Sequence, residues 1–222
     1  MIVAIDGPAG TGKGTVAKLI SERLDFVYID TGAMYRCITL KMIRENISLN
    51  EEEKIKDLLE RTKITFKNLS DKQHVYLDGE DVSDLIRKPN VNELVSPVSA
   101  IKIIRIKMVE LQRKLGEEGN VIMEGRDITT VVFPNAEVKI YLTASSAERA
   151  RRRYEELKQK GETCDLAQIE ADIIKRDEQD MSRAIAPLKQ AEDAYYLDSS
   201  NLTISEVVEV ILNQSKEKGL WK

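Results

Sequence analysis

MIVAIDGPAGTGKGT, residues 1–15, opens a chain of 222 residues and decides how the rest of it is read. Met1 to Ile5 are mostly apolar, Asp6 follows, and Gly7 to Lys13 fit the pattern G-x-x-x-x-G-K, with Gly14 and Thr15 just beyond. Val16, Leu19, Ile20 and Leu24 recur at helical spacing, so Lys13 to Leu24 is expected to be a helix. Strand, glycine loop and helix in that order make a phosphate-binding loop. Gly7, Gly10, Gly12 and Gly14 are expected to turn with positive φ and bring the backbone close to phosphate oxygens. Successive N–H groups then form a concave anion nest. The start of the helix adds free donors and a partial positive charge. Lys13 supplies a full charge for the terminal phosphates, and the Thr15 hydroxyl a ligand for Mg²⁺.

The composition narrows the classes further. A chain of 222 residues suits one domain with small insertions. At that length roughly 70–75% of the unfolded surface can be buried, so no staples are needed. The net charge of −4 argues against a nucleic-acid partner, so any polyanion site must come from local clusters of base. Cys37 and Cys164 lie far apart and are expected to be free, structural thiols of an intracellular protein. His74 is the single histidine, which disfavours a histidine-based metal site or triad. No apolar run approaches the ~20 residues that span a bilayer. Met1 leads straight into the first strand, leaving no room for a signal peptide, so a cytoplasmic location without membrane contact is expected.

Asp25 to Asp30 reads as a second strand, ending in Thr31-Gly32, with a helix from Ala33 to about Glu45. Ligands of an open α/β sheet lie at the carboxyl ends of its strands. Thr31, Tyr35 and Arg36 therefore belong to the same crevice, where Arg36 either meets a second phosphate or is a solvated helix arginine. Glu51 to Thr62 reads as a charged helix. Ile64 to Asn68 and His74 to Leu77 read as strands, and Asp78-Gly79 as a two-residue hairpin turn returning through Glu80 to Val82. Roughly Ile64 to Pro89 is thus an antiparallel insertion. Pro89 and Pro97 are expected to break the next region, before a long helix from about Ser99 to Leu115. From the residues alone, Ser96 and Arg105 fit exposed surface positions there.

Val121 to Met123 reads as a buried strand ending in Glu124-Gly125-Arg126-Asp127. A carboxylate there suits the Mg²⁺ side of a phosphate-loop protein. Arg126 and Asp127 are expected to project into the crevice, as site residues or as a structural ion pair. Val131 to Phe133 and Val138 to Leu142 read as further strands, the latter central. Ser145 or Ser146 caps a helix carrying Arg149, Arg152 and Arg153 on one face, either a solvated charged face or a set that brings cations to a phosphoryl group in flight. Gly161 to Asp165 breaks it. A helix from Leu166 then carries Arg176, Asp180 and Arg183 on one face, and Ala184 to Leu188 ends it. Tyr195 to Asp198 is the last strand and Ser205 to Lys218 the closing helix.

Taken together, GPAGTGKGT (7–15), DTGAMYR (30–36), LDGEDVSDLIR (77–87), EGRD (124–127), VKIYLTAS (138–145) and RDEQDMSRAIAPL (176–188) resemble the bacterial cytidylate kinases, the (d)CMP kinase family of nucleoside monophosphate kinases, over essentially the whole chain. Thr15 one place beyond Gly14, rather than directly after Lys13, is similar to that group. The resemblance implies a P-loop NTPase fold, a three-layer α/β/α core with five parallel strands. An antiparallel insertion would lie in the acceptor-binding region, and a short helical lid would be the third part. The core would cover about 1–35, 90–148 and 166–222, the acceptor region about 36–89 and the lid about 149–165, in a monomer. It implies transfer of a phosphoryl group from ATP to CMP or dCMP with Mg²⁺.

By that resemblance Gly7, Pro8, Ala9, Gly10, Thr11, Gly12, Lys13, Gly14 and Thr15 hold ATP. Thr31, Tyr35, Arg36, Ser96, Arg105, Arg126, Asp127, Arg176, Asp180 and Arg183 hold CMP. Of these, Arg36, Arg126 and Arg183 take the acceptor phosphate, Ser96, Arg105 and Asp127 read cytosine, and Arg176 and Asp180 face the sugar and the transferred group. Lys13, Arg126, Asp127, Arg149, Arg153 and Arg176 would carry the transfer. Two positions depart from the family pattern: Glu124 stands where Asp is commoner, and Thr129 where Gly is usual. A kinase for AMP, shikimate or dephospho-coenzyme A would share the glycine loop but not the insertion or the EGRD set. A GTPase-type switch would carry Asn-Lys-x-Asp, which does not occur here.

Overall fold

The computed structural model describes residues 1–68, 73–117 and 119–218. In chain order the elements are β1 (Ile2–Asp6), α1 (Lys13–Leu24), β2 (Val27–Asp30), α2 (Thr31–Arg44), α3 (Glu52–Glu60), β3 (Ile64–Asn68), β4 (Gln73–Leu77), β5 (Glu80–Asp81), α4 (Pro89–Ala100), α5 (Lys102–Gly116), β6 (Val121–Gly125), β7 (Val138–Thr143), α6 (Ser146–Gln159), α7 (Leu166–Met181), β8 (Tyr195–Asp198) and α8 (Ile204–Glu217). They fall into two compact units, Met1–Tyr28 with Gly116–Lys222, and Ile29–Leu115.

The first unit is built on a five-stranded parallel sheet in the order β2-β6-β1-β7-β8, and the chain leaves this unit within β2. β1 takes the middle because it is apolar on both faces. Val3, Ala4 and Ile5 are fully buried, as a parallel strand covered on two sides requires. It runs parallel to β6, Ile2 opposite Val121 and Asp6 opposite Gly125, and to β7, Val3 opposite Val138. Val16, Ala17 and Ile20 of α1 and Val207, Val208, Ile211 and Leu212 of α8 close over Val3, Ile5, Ile122 and Ile140. Thr203 and Glu206 start α8 with a reciprocal capping box. Because β6 and β7 flank β1 although they come much later in the chain, the carboxyl end of β1 lies at a reversal of strand order, where open α/β sheets bind ligands.

In the second unit α2 has two apolar sides. Met34, Tyr35, Ile38 and Met42 pack with Ile55, Leu58 and Leu59 of α3 and with Val95, Val98, Ile104 and Met108. Ala33, Cys37 and Leu40 pack with Val75, Leu77, Val82, Ile86 and Val91. β3, β4 and β5 form a separate antiparallel sheet. Asp78 and Gly79 both take positive φ, 51° and 91°, and join Leu77 to its partner Glu80, as a two-residue hairpin with twisted strands demands. Residues 69–72 of the expected insertion lie outside the described residues. Both cysteines are free. Cys37 is buried and its thiol is pushed up to about 12 by burial, while Cys164 is half-buried in the turn between α6 and α7.

Four local expectations need correction. Pro89 does not break the chain; it occupies the first turn of α4, where its fixed φ suits a helix start and no N–H is missed. Pro97 lies inside that same helix, which runs on to Ala100. The expected single helix from Ser99 is therefore two, α4 and α5, parted at Ile101, whose ψ of 124° is extended. Val131 to Phe133 is not a strand: residues 128–132 form a π-helical turn, with Val132 N–H on Asp127 O at 3.1 Å and Phe133 N–H on Ile128 O at 2.8 Å. Last, the helix bearing Arg176 ends at Met181, before Ala184.

The cause of the π turn is Asp6. Its carboxylate accepts from Ile128 N (2.9 Å), Thr129 N (2.7 Å) and the Thr129 hydroxyl (2.6 Å), satisfying donors that a strand would have paired elsewhere. Burial lifts the Asp6 carboxyl from 3.8 to about 6, although these three donors pull it down. A folded pKa above the unfolded one gives stability that is fully present below 3.8 and lost as pH rises through about 6. The shift corresponds to about 3 kcal/mol. In chemical denaturation from pH 4.5 to 7.5, the stability difference between wild type and Asp6→Asn is expected to move against wild type by about 2–3 kcal/mol. A difference that does not change with pH would mean that Asp6 titrates normally.

Candidate active site

At the carboxyl end of β1 the chain turns back on itself through the glycine loop. Gly7 has φ 153°, and a Cβ there would lie 1.9 Å from Leu142 O, so the loop passes β7 with no room for a side chain. Gly10 and Gly12 also take positive φ, 80° and 85°. Gly14 does not, contrary to expectation; it is already helical, and what it provides is space. A Cβ on Gly14 would stand 2.9 Å from Glu124 Oε1 and 3.2 Å from the Tyr28 hydroxyl, groups joined to each other by a 3.1 Å hydrogen bond. No acidic residue occupies the first turn of α1, which keeps its N-terminus open to an anion.

Lys13 is buried beneath this loop. Its ammonium donates to Pro8 O at 2.7 Å and lies 3.4 Å from Thr11 Oγ1. Burial, and then Arg126, push Lys13 down to about 7, against the pull of Glu124 and Asp6. An unliganded ammonium is thus held at a cost that an arriving phosphate removes. Thr15 lies exposed in the first turn of α1. Arg149 lies against the loop: it donates to Ala9 O and to Ala144 O, both at 2.9 Å, and pairs with Asp177 at 2.7 Å.

Arg126, Asp180 and Arg183 are brought together. Arg126 Nε is 2.8 Å from Asp180 Oδ2, and Arg183 pairs with the other carboxylate oxygen. Asp180 is 1% exposed. Burial works against its charge, yet Arg126 and Arg183 hold its carboxyl below the usual range, and Asp180 in turn raises Arg126 against the same burial. Arg126 therefore pairs with Asp180 rather than with its neighbour Asp127. Asp127 is buried at the start of the π turn, and Arg176 is half-buried on α7, one turn before Asp180. Arg153 is not part of this group: it pairs with Glu156 on the exposed side of α6.

In the second unit, Thr31 opens α2 and is buried, while Asp30 caps that helix by accepting from Ala33 N at 2.9 Å. Arg36 donates to Asn92 of α4. Ser96 and Arg105 are not surface residues: both are buried, Arg105 to 2% exposure. Its guanidinium donates to Ser99 O at 3.0 Å and lies 5.4 Å from the Tyr35 ring centre. Sequence reasoning passed over Asp6, Tyr28, Asn92 and Asp177. Only Asp6 carried a local signal, a carboxylate closing an apolar strand.

Comparisons with known proteins identify the family. The family described as cytidylate kinase matches residues 3–217. A cytidylate kinase of Caldicellulosiruptor saccharolyticus is 51% identical over 210 residues, 95% of this chain and 93% of that one. Those of Lactobacillus gasseri and Bacillus subtilis are 52% and 46% identical, over 99% and 98% of this chain and 96% and 97% of theirs. Among solved structures, an uncharacterized protein from Eubacterium ventriosum shares the fold, with a TM-score of 0.52 at 12% identity over 98% of each chain. With a glycine loop over a buried lysine and a family match spanning nearly all its residues, the chain belongs to the cytidylate kinase family.

Proposed function

We propose that this protein transfers the γ-phosphoryl group of ATP to CMP or dCMP, releasing ADP and CDP or dCDP. The observation that carries the reading is the phosphate loop, with Lys13 buried beneath it, in a chain that matches the cytidylate kinase family from residue 3 to 217. An oxygen of the acceptor phosphate attacks the γ-phosphorus, and the bond from that phosphorus to the ADP oxygen breaks. Such transfer needs positioning and cancellation of charge more than covalent chemistry. Gly7 to Thr15 hold the donor phosphates, and Lys13 meets the terminal ones. The Thr15 hydroxyl and the Glu124 carboxylate are hard oxygen donors of the kind Mg²⁺ accepts alongside phosphates and water. When bound, that ion neutralises charge on the transferring group.

In the first unit, Arg126 and Arg183 hold the acceptor phosphate, Asp180 and Arg176 face the sugar and the moving group, and Asp127 receives the cytosine amine. In the second unit, Arg36 serves the acceptor phosphate. Thr31 and Tyr35 line the acceptor, and Arg105 and Ser96 read cytosine. Cytosine presents acceptors at O2 and N3 and a donor at N4, so an arginine and a carboxylate match it, whereas uracil would leave buried groups unpaired. Arg149 and Arg153 belong to a lid at about 149–165, the core takes in about 1–35, 90–148 and 166–222, and the acceptor region about 36–89. The enzyme works as a cytoplasmic monomer. Among the described residues no helix is long and apolar enough to cross a membrane.

A panel of acceptors with ATP tests the assignment. CMP and dCMP are expected to turn over at least ~100-fold better than AMP, UMP or shikimate in kcat/KM. In Arg105→Ala the loss is expected to fall on CMP, with KM for ATP within about twofold. Preferred turnover of AMP or shikimate, or equal losses for both substrates, would defeat the reading.

A further inference from the structure

We propose that Asp177 is a positioning residue for nucleotide binding: it holds Arg149 so that the Arg149 guanidinium fixes the peptide plane between Ala9 and Gly10. This rests on reading the loop as a nucleotide-phosphate site. Three bonds from three different nitrogens define the geometry. Nε donates to Ala144 O and Nη1 to Ala9 O, each at 2.9 Å, and Nη2 is 2.7 Å from Asp177 Oδ2. A guanidinium is planar with donors in fixed directions, so a group bonded in this way is left no freedom to rotate.

A trans peptide is planar as well. Holding the Ala9 carbonyl therefore fixes the Gly10 N–H, which points the opposite way. The preceding carbonyl, Pro8 O, is taken by Lys13 at 2.7 Å and by the Thr11 hydroxyl at 3.3 Å. Two successive loop carbonyls are thus engaged by cations, which leaves the loop's N–H groups to meet an anion. The stem of Arg149 also covers Gly10: a Cβ on Gly10 would lie 3.4 Å from Arg149 Cβ.

Asp177 is what keeps the guanidinium in place. Arg149 and Asp177 are 5% and 8% exposed, and a buried arginine that loses its carboxylate must find another partner. Oδ1 of Asp177 has no hydrogen-bond partner among the described residues, so the carboxylate's one direct engagement is with Arg149.

The test is ATP affinity, titrated without CMP on the full chain, for wild type, Asp177→Ala, Arg149→Ala and the double variant. Asp177→Ala is expected to bind ATP about tenfold more weakly, with affinity for CMP alone within about twofold. The double variant is expected to be no weaker than Arg149→Ala, because Asp177 acts through that arginine. Asp177→Asn keeps the shape and one acceptor oxygen. It is expected to recover part of the loss while staying about threefold weaker than wild type, and it carries the test should the alanine variant fail to fold. Unchanged ATP affinity in the folded variants, additive losses in the double variant, or equal losses for ATP and CMP would overturn the proposal. A wild-type chain that binds no ATP would instead defeat the reading of the loop, so the two failures are distinct.

Discussion

Lys13→Ala is expected to lower kcat for phosphoryl transfer by about 10³-fold or more, the scale seen when a charge that meets the transferring group is removed. The fold should survive. Lys13 is a desolvated cation whose direct partners are the Pro8 carbonyl and the Thr11 hydroxyl, and burial already drives its pKa down to about 7. Removing it therefore relieves a burial cost while giving up the bonds to Pro8 and Thr11. Steady-state rates with ATP and CMP, beside a thermal melt within a few degrees of wild type, check both halves. The pKa adds a signature. Burial loosens the Lys13 proton in the free protein, and an arriving phosphate tightens it. ATP binding measured calorimetrically in two buffers should show proton uptake at pH 8 that Lys13→Ala lacks. A variant that keeps kcat within tenfold would remove Lys13 from the mechanism.

Asp180→Ala is expected to lower stability by about 3–5 kcal/mol, the scale for breaking a buried ion pair by removing one partner. It leaves Arg126 and Arg183 facing each other without the carboxylate that joins them. Because Asp180 has a lowered folded pKa, its contribution is present above the ordinary carboxylate range and is lost as pH falls through the folded value. An anion can take its place. Inorganic phosphate or CMP should therefore raise the melting temperature of Asp180→Ala more than that of wild type. Equal stability, or no larger gain from phosphate, would mean that other groups neutralise the arginines.

What could be read in advance was what depends on neighbours in sequence. The bounds of α1 and of β8 come out residue for residue, because helical spacing after a glycine loop and a short aromatic strand are local patterns. So does the Asp78-Gly79 turn, whose two positive φ values those residues tolerate best. What stayed hidden is set by packing and by partners that no local pattern reveals. The π turn follows from Asp6 reaching Ile128 and Thr129. Pro97 looks like a breaker until Pro89 is recognised as a helix start. Arg105 looks like a surface arginine because nothing nearby in sequence shows the cover it receives. At the site, residue types were legible and pairings were not. Arg126 next to Asp127 suggests a pair, yet its carboxylate partner comes from α7.

The two thiols differ in a way an experimenter can use. Cys37, enclosed in the second unit with its proton held up to about 12, is shielded from alkylating reagents, whereas Cys164 is partly exposed at the bend joining α6 to α7. A fluorophore or spin label can therefore be attached at that bend through the native sequence, with no engineered cysteine, so movement there during turnover can be followed in the unaltered chain.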